Sequence, residues 1–376
     1  MGIEQSLMPA PEAWLARARP DDPVFFFCPM RLAQVAERFL SGFPGQVTYA
    51  VKANPAPELV GGLLAAGLRA FDVASPAEMR LVREQAPGAA LHYHNPVRSE
   101  AEIAEGMRQG CVSWSVDRAR ELDKLRVLPA GAEIAVRLKL PVTGAAYDFG
   151  AKFGATPEEA ETLLRQVVEM GLTPSITFHP GTQCPTPEPW ARYIAAAAEV
   201  ARRAGVRLHR LNVGGGFPSH RDAAMPDLEA IFATIAEATR AAFGADVPQL
   251  VCEPGRGLCA EAMILALRVK AVTPEAVFLN DGIYGGMAEW RDLGPIDRLR
   301  VFTEEGTPRA GRPVPRIAFG PTCDSLDRLP DELALPDTLS EGDYLVFEGM
   351  GAYSRALVTA FNGYGVRRVV RMTAGC

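Results

Sequence analysis

The 376-residue chain carries no strong excess of charge of either sign: 39 basic and 45 acidic residues give a net charge of −6. Without a basic field, binding to a polyanion is disfavoured, and a cationic small substrate suits the balance better. No apolar run approaches the ~20 residues that span a bilayer. The first residues lack the charged and apolar regions of a secretion signal, so no membrane partner and a cytoplasmic location are expected. Residues 1–6 match a myristoylation pattern, which is short, common and discounted here. Seven cysteines form an odd, irregularly spaced set with no CxxC pair, which argues against a disulfide framework and for a reducing compartment. There are only five histidines. His92 and His94 can place two ligands on one face of a strand, but no third ligand follows locally, so no metal is expected. Low-complexity tracts and internal repeats are missing too.

What is present is a globular composition, 48% hydrophobic and 22% charged. That suffices for a large core and excludes global disorder. At about 150 residues per domain, the length implies one large barrel or two domains. Glycine and proline, 35 and 31 residues, make up roughly 18% of the chain against a usual 12% or so, which implies many tight turns.

Between residues 30 and 260 short apolar runs alternate with helical stretches. Strands are expected at 47–51, 70–73, 90–94, 113–116, 133–138, 175–178, 208–213 and 249–253. Helices are expected at 57–66, 76–84, 99–109, 118–126, 157–170, 189–204 and 228–243, with Thr156 capping the fifth. So regular an alternation predicts a parallel sheet with crossover helices, and its count predicts a closed (β/α)8 TIM-like barrel; an open doubly wound sheet is the alternative. After residue 260 the pattern becomes strand-like with turn-rich spacers, which predicts a C-terminal β-sandwich or β-barrel-like domain. The early strand 24–27 is expected to pair with it. The expected division is therefore 29–262 for the barrel and 1–28 plus 263–376 for the β domain.

In barrels, functional groups gather where strands end. Lys52 follows the first strand, Asp72 lies on the second, His179 ends the sixth, Gly214-Gly215-Gly216 the seventh and Glu253 the eighth. A lysine at a barrel mouth is either a solvated surface group or, if desolvated, an amine of lowered pKa able to form a Schiff base. Three glycines free backbone N–H groups to approach a phosphate, or simply make a tight turn. Glu253 and Arg256 either serve a ligand separately or pair with each other. No GxGxxG pattern with an acidic residue in register supports a dinucleotide site.

Ordered blocks then accumulate. They are Tyr49-Ala-Val-Lys52-Ala-Asn54, Phe71-Asp72-Val-Ala-Ser75-Pro-Ala-Glu78, Asn95-Pro96, Lys152-Phe-Gly154 and Phe178-His179-Pro-Gly181-Thr182-Gln183. They continue with Gly214-Gly-Gly-Phe-Pro218, Glu253-Pro-Gly-Arg256, Asn280-Asp-Gly-Ile-Tyr284-Gly, Gly320-Pro-Thr-Cys323-Asp324 and Gly349-Met-Gly-Ala-Tyr353. Over roughly residues 22 to 370 the sequence resembles the fold-type III decarboxylases of the ornithine/lysine/diaminopimelate family, which depend on pyridoxal 5'-phosphate. The resemblance implies that Lys52 holds the cofactor covalently, that Glu253 pairs with its ring nitrogen and that His179 stacks on its ring. It implies phosphate contacts from Thr182, Gly214, Gly215, Gly216, Arg256 and Tyr353, with Asp72 and Arg137 lining the cofactor near Lys52. It further implies a homodimer whose active sites are shared across the interface, Cys323 being the thiol that one subunit lends to the other.

Asp324 resembles the carboxylate that receives a distal ammonium, with Asp292 or Glu289 as partner, and Tyr284 belongs to the same substrate end. The Cys323-Asp324-Ser325 order departs from the Cys-Glu-Ser of the diaminopimelate branch and favours ornithine or lysine. Glu253, where alanine racemases keep an arginine, argues against a racemase. Thr182, Pro180 and Arg98 depart from the usual Ser, Val and Lys, and put the substrate rather than the chemistry in question. Two alternatives stand beside this one: a decarboxylase of an unusual or carboxylated amino acid, and a non-catalytic relative that binds a regulatory partner.

Overall fold

A computed structural model describes residues 3–6, 8, 10–140, 152–221, 224–365 and 368–373. In chain order the elements open with β1 (Glu4–Ser6), α1 (Pro11–Ala18), β2 (Val24–Phe27), α2 (Pro29–Gly42), β3 (Gln46–Val47) and β4 (Tyr49–Ala50). Next come α3 (Pro57–Ala65), β5 (Ala70–Val73), α4 (Pro76–Gln85), β6 (Ala90–Tyr93), α5 (Glu100–Arg108), β7 (Cys111–Val116), α6 (Ala119–Lys124) and β8 (Glu133–Leu138). They continue with α7 (Pro157–Glu169), β9 (Thr173–Phe178), α8 (Glu188–Ala204), β10 (Arg210–Asn212), α9 (Leu228–Phe243), β11 (Gln249–Cys252) and α10 (Arg256–Cys259). The last stretch holds β12 (Met263–Val272), β13 (Ala276–Leu279), α11 (Trp290–Leu293), β14 (Leu299–Phe302), β15 (Pro313–Phe319), β16 (Arg328–Pro336), β17 (Tyr344–Phe347) and β18 (Arg368–Met372).

Residues 36–218 and 226–257 form one compact unit; residues 1–35, 219–225 and 258–376 form the other. In the first unit nine parallel segments run in the order β3-β11-β10-β9-β8-β7-β6-β5-β4. The two outer segments are one extended stretch interrupted at Thr48: β3 pairs with β11, and β4 pairs with β5. A single stretch that bonds at both ends of the order closes the sheet, which makes an eight-stranded barrel, as the alternation predicted. The crossover helices carry local start signals. Ser99 and Thr156 make full capping boxes with Glu102 and Glu159, and Ser75 accepts the Glu78 N–H.

Register decides which residues line the barrel. Asp72 pairs with His92, His92 with Ser113, and Ser113 with Glu133, so polar side chains stand in one row across four strands. Further along the wall Ser175 donates to Glu133 Oε1 at 2.7 Å, and Arg210 donates to its Oε2 at 2.8 Å. Barrel interiors are usually filled by branched apolar residues. This one gives part of its lining to ionisable groups, each of which needs a partner once buried.

The second unit is built on mixed sheets. β2 lies between β18, which is parallel to it, and β12, which is antiparallel. The early strand thus pairs with C-terminal strands, as expected. Its Val24 and Phe26 join Trp14, Leu15, Ile264, Tyr344, Val346 and Val370 in one buried cluster. β16 was not anticipated from the sequence, because Pro330 and Pro336 argue against a strand. Its one neighbour is β15, at the end of the strand order, and an edge strand tolerates missing N–H donors. Cys28 is disulfide-bonded, an exception to the all-thiol expectation, while Cys111, Cys184, Cys252 and Cys323 are free. No helix among the described residues is long and apolar enough to cross a membrane.

The α7 cap gives a direct check. Thr156→Ala removes the hydroxyl that accepts the Glu159 N–H, and is expected to lower stability by about 1 kcal/mol, read as a shift of the denaturant midpoint.

Candidate active site

The barrel unit gathers Lys52, Asp72, Arg137, His179, Thr182, the three glycines, Glu253 and Arg256 at or near strand ends. Lys52 was expected to end a strand. Instead it sits in a 3-10 turn, Val51–Ala53, that follows β4 directly. Lys52 is exposed, which is the solvated one of the two alternatives that the sequence left open. Its positive charge still acts on Asp72, Glu78, His179 and Glu253.

Glu253 follows β11, largely buried, and two donors converge on its Oε1. One is the Nδ1 of His94, in a short hydrogen bond, and the other is Asn212 Nδ2 at 2.5 Å. Asn212 has a fixed orientation because its Oδ1 accepts the Gly214 N–H at 2.9 Å. Burial pushes the Glu253 carboxyl up, but the His94 imidazole outweighs it, helped by Lys52 and Asn212, and the group is held down at about 2. Asp72 moves the other way. Burial and the neighbouring Glu253 charge raise it to about 7, and its Oδ1 is buried with no hydrogen-bond partner. Two carboxyl groups close together thus divide their roles, one ionised and one protonated near neutrality.

His179 follows β9. Its Nδ1 accepts the Gly181 N–H at 3.2 Å, which leaves the proton on Nε2. Burial, with the charges of Lys52 and Arg137, drives it down to about 3, so it is a neutral ring. The glycine turn approaches this ring closely. A Cβ on Gly215 would stand 3.1 Å from His179 Nε2, one on Gly214 would meet the Phe178 carbonyl at 2.0 Å, and one on Gly216 the Gly181 carbonyl at 2.7 Å. Gly214 and Gly216 also have φ of +70° and +86°, which a side chain would strain. Thr182 is buried beside this turn's loop, and Arg137 lies over the Phe153 ring with its charge on Asp72 and Glu253.

The β unit carries the remaining candidates. Tyr284 donates its hydroxyl to Asp324 Oδ2 at 2.6 Å, so those two are brought together. Cys323 is exposed on the same loop, whose N–H donates to Asn362 Oδ1 at 3.2 Å. The loop is tied down by buried Asp327, which accepts from the Thr322 hydroxyl and from the Thr322 and Ile283 N–H groups. Asp292 is exposed on α11, whereas Glu289 stands 3.8 Å from Arg221. Tyr353 holds φ +55°, a left-handed conformation costly for a bulky residue, inside the block that singled it out.

Sequence reasoning missed the groups behind Glu253. His94, Ser113, His92 and Asn212 were absent from the candidate residues, although the His92-x-His94 spacing had been noticed. Of that pair only His94 joins a cluster of such atoms: Asp72, His94 and Glu253 bring ligand-type atoms within 4.8 Å of one another. His94 spends its Nδ1 on Glu253 as a hydrogen bond.

A barrel whose strand ends carry an exposed lysine, an ionised carboxylate, a neutral imidazole and a glycine turn is of the class that binds pyridoxal phosphate. The glycine turn, which leaves no room for Cβ atoms, and the unpartnered Asp72 oxygen fit a planar, phosphorylated cofactor. The family model for the pyridoxal binding domain of pyridoxal-dependent decarboxylases matches residues 30–260, and the chain belongs to that family. It is 31% identical over 363 residues to the decarboxylase flvG of Aspergillus flavus, covering 90% of this chain and 83% of that one. It is 34% identical over 345 residues to the chloroplastic ornithine decarboxylase of Nicotiana glutinosa, covering 86% and 77%. The arginine decarboxylase of Paramecium bursaria Chlorella virus, solved with agmatine bound, superposes with a TM-score of 0.84 at 25% identity, covering 94% of this chain and 97% of that one. This protein is thus a pyridoxal-phosphate-dependent amino-acid decarboxylase.

Asp72 supplies a pH test in the cofactor-free protein. A carboxyl raised by folding ionises in the unfolded chain above 3.8 but in the fold only near 7, so its stabilising share is whole below 3.8 and fades towards 7. Asp72→Asn cannot ionise. Its thermal midpoint relative to wild type is expected to rise steadily across that window and to level off above it.

Proposed function

We propose that the protein decarboxylates a basic amino acid, ornithine or lysine first, to the corresponding diamine. The observation that carries this reading is the Asp324 carboxylate, half-exposed on the Cys323 loop and hydrogen-bonded by Tyr284. A carboxylate held ionised by a phenol donor is a partner for a distal ammonium. The kinship with ornithine and arginine decarboxylases supports the same charge class. An unusual or carboxylated amino acid of specialised metabolism is the second reading, favoured by Arg291, whose charge reaches Tyr284.

Lys52 is assigned as the residue that holds the cofactor and Glu253 as the partner of its ring nitrogen. Gly214, Gly215, Gly216, Thr182, Arg256 and Tyr353 are assigned to its phosphate, with Asp72 and Arg137 alongside. When bound, pyridoxal phosphate supplies an electron sink for the carbanion left by departing CO2. Glu253 stays negative, so a positive ring nitrogen is favoured beside it. His179 offers a neutral ring face and adds no competing charge. Cys323, an exposed thiol, is assigned to proton return at the reacting carbon. We place it in a homodimer, where one subunit's loop completes the site of its partner. We further propose a cytoplasmic setting, which the thiols of Cys111, Cys184, Cys252 and Cys323 favour and the bonded Cys28 does not, with polyamine synthesis as one fate of the product.

Lys52→Ala is expected to abolish the visible absorbance of the bound cofactor and all CO2 release; binding with an unchanged spectrum would remove Lys52 from its role. CO2 release measured over ornithine, lysine, arginine, diaminopimelate and carboxylated analogues tests the substrate, with ornithine or lysine expected to lead. Asp324→Asn should raise KM for these diamino acids by about tenfold or more while leaving cofactor binding intact. Mixing inactive Lys52→Ala and Cys323→Ala chains should restore part of the activity through hybrid dimers. No recovery despite subunit exchange counts against a shared site.

A further inference from the structure

The barrel contains a buried polar chain that the reading above leaves unused. His94 Nδ1 bonds Glu253 Oε1, and His94 Nε2 lies 2.9 Å from Ser113 Oγ. The same hydroxyl lies 2.7 Å from His92 Nδ1. All of these side chains are buried: His92 is 2% exposed, Ser113 1% and His94 9%. The chain is therefore built into the wall of the barrel, with His92 on β6, His94 directly after it and the Ser113 hydroxyl on β7 between them.

Donors and acceptors can be counted along it. Glu253 is an ionised acceptor, so His94 Nδ1 must carry a proton. If His94 is a cation, Nε2 also donates, to Ser113, and the Ser113 hydroxyl then points to His92. If His94 is neutral, Nε2 accepts from Ser113, and His92 Nδ1 donates to the hydroxyl oxygen. Both arrangements satisfy these three links, and both require the Nδ1 proton facing Glu253; Asn212 Nδ2, 3.2 Å from that nitrogen, then donates to Glu253 and not to His94. The groups facing His94 are Glu253 and, at 4.0 Å from Nδ1, Asp72; the more distant Glu133 also acts on it. Burial pushes His94 down, but Glu253 and Asp72 outweigh it, and it stands above its ordinary value. Burial, His94 and Arg210 hold His92 low.

We propose that His94 is a positioning residue for Glu253: its Nδ1–H holds Oε1 and aims the carboxylate, while Ser113 and His92 lock the ring that does so. Asn212 completes the grip from the other side, and neither donor touches Oε2. This proposal rests on the assignment of Glu253 to the ring nitrogen of the cofactor. A carboxylate left to rotate would still attract a cation but would present no set geometry to it.

The test uses the full-length chain stripped of cofactor. Histidine side-chain ¹⁵N NMR, with His94 assigned from its absence in His94→Asn, is expected to show a protonated Nδ1, displaced by Glu253→Gln. A bare Nδ1 overturns the proposal without any cofactor present. The dissociation constant for added pyridoxal phosphate, followed by absorbance, is then measured in variants. His94→Ala should weaken binding about ten- to a hundredfold, the scale of a hydrogen bond to a charged group. In His94→Asn the amide nitrogen stands near the Nδ1 position, so binding should return to within about threefold of wild type. Ser113→Ala removes one oxygen and tests the chain even if His94→Ala does not fold; a loss of about three- to tenfold is expected. Rescue by Asn separates aiming from packing: if Asn binds no better than Ala, or if Ser113→Ala binds as wild type, the proposal fails. Glu253→Gln is the control for the assignment beneath it. Weak binding in Glu253→Gln with full binding in His94→Ala overturns only the role of His94; full binding in both overturns the Glu253 assignment as well.

Discussion

One carboxylate sets the terms for the barrel. Glu253 is held ionised inside a protein, where an unpartnered charge is costly. Three strands answer this. Glu253 directly follows β11, Asn212 ends β10, and His94 directly follows β6. Each partner is in turn fixed by another group, Asn212 by the Gly214 N–H and His94 by Ser113. The glycine turn therefore does more than allow a close backbone approach, since its first N–H also orients the amide that grips Glu253.

The remaining charges follow from that arrangement. With Glu253 ionised, a second carboxylate nearby is discouraged, and Asp72 keeps its proton to near neutrality. His94 shares two acids and is favoured as a cation, while His92, next along and against Arg210, is not. His179, on the other side of the glycine turn, is neutral because burial and two cations oppose its charge. The barrel unit thus holds an ionised carboxylate, a neutral imidazole and the charges of Lys52 and Arg137 in defined places, a setting suited to a heterocycle that carries a phosphate. The β unit shows the same economy on a loop, where buried Asp327 ties down the segment bearing Cys323 and Asp324.

Much of this was legible in the sequence, and the residues show why. The strands 70–73 and 133–138 and the helix 228–243 were read with their observed bounds, because apolar periodicity and caps are local signals. Strand β16 escaped because its prolines are acceptable only at an edge, and edge position is a property of the sheet. Whether Lys52 is solvated was open in the sequence, because it depends on a 3-10 turn that moves the residue off the strand. His94 was visible only as half of a two-residue spacing. Its partners lie 159 and 19 residues away, Glu253 and Ser113, and no local pattern joins them.

The sequence by itself determined the class of fold, the order of the blocks and the chemistry of the end groups, since periodicity, capping and motif spacing are written in neighbouring residues. Tertiary structure alone decided the closure of the barrel through one split strand, the row of polar residues across β5 to β8 and the pairing of Glu253 with His94. The reason is physical. Register between parallel strands is set by hydrogen bonds between segments joined through whole helices, and protonation is set by whatever those bonds bring within a few ångströms.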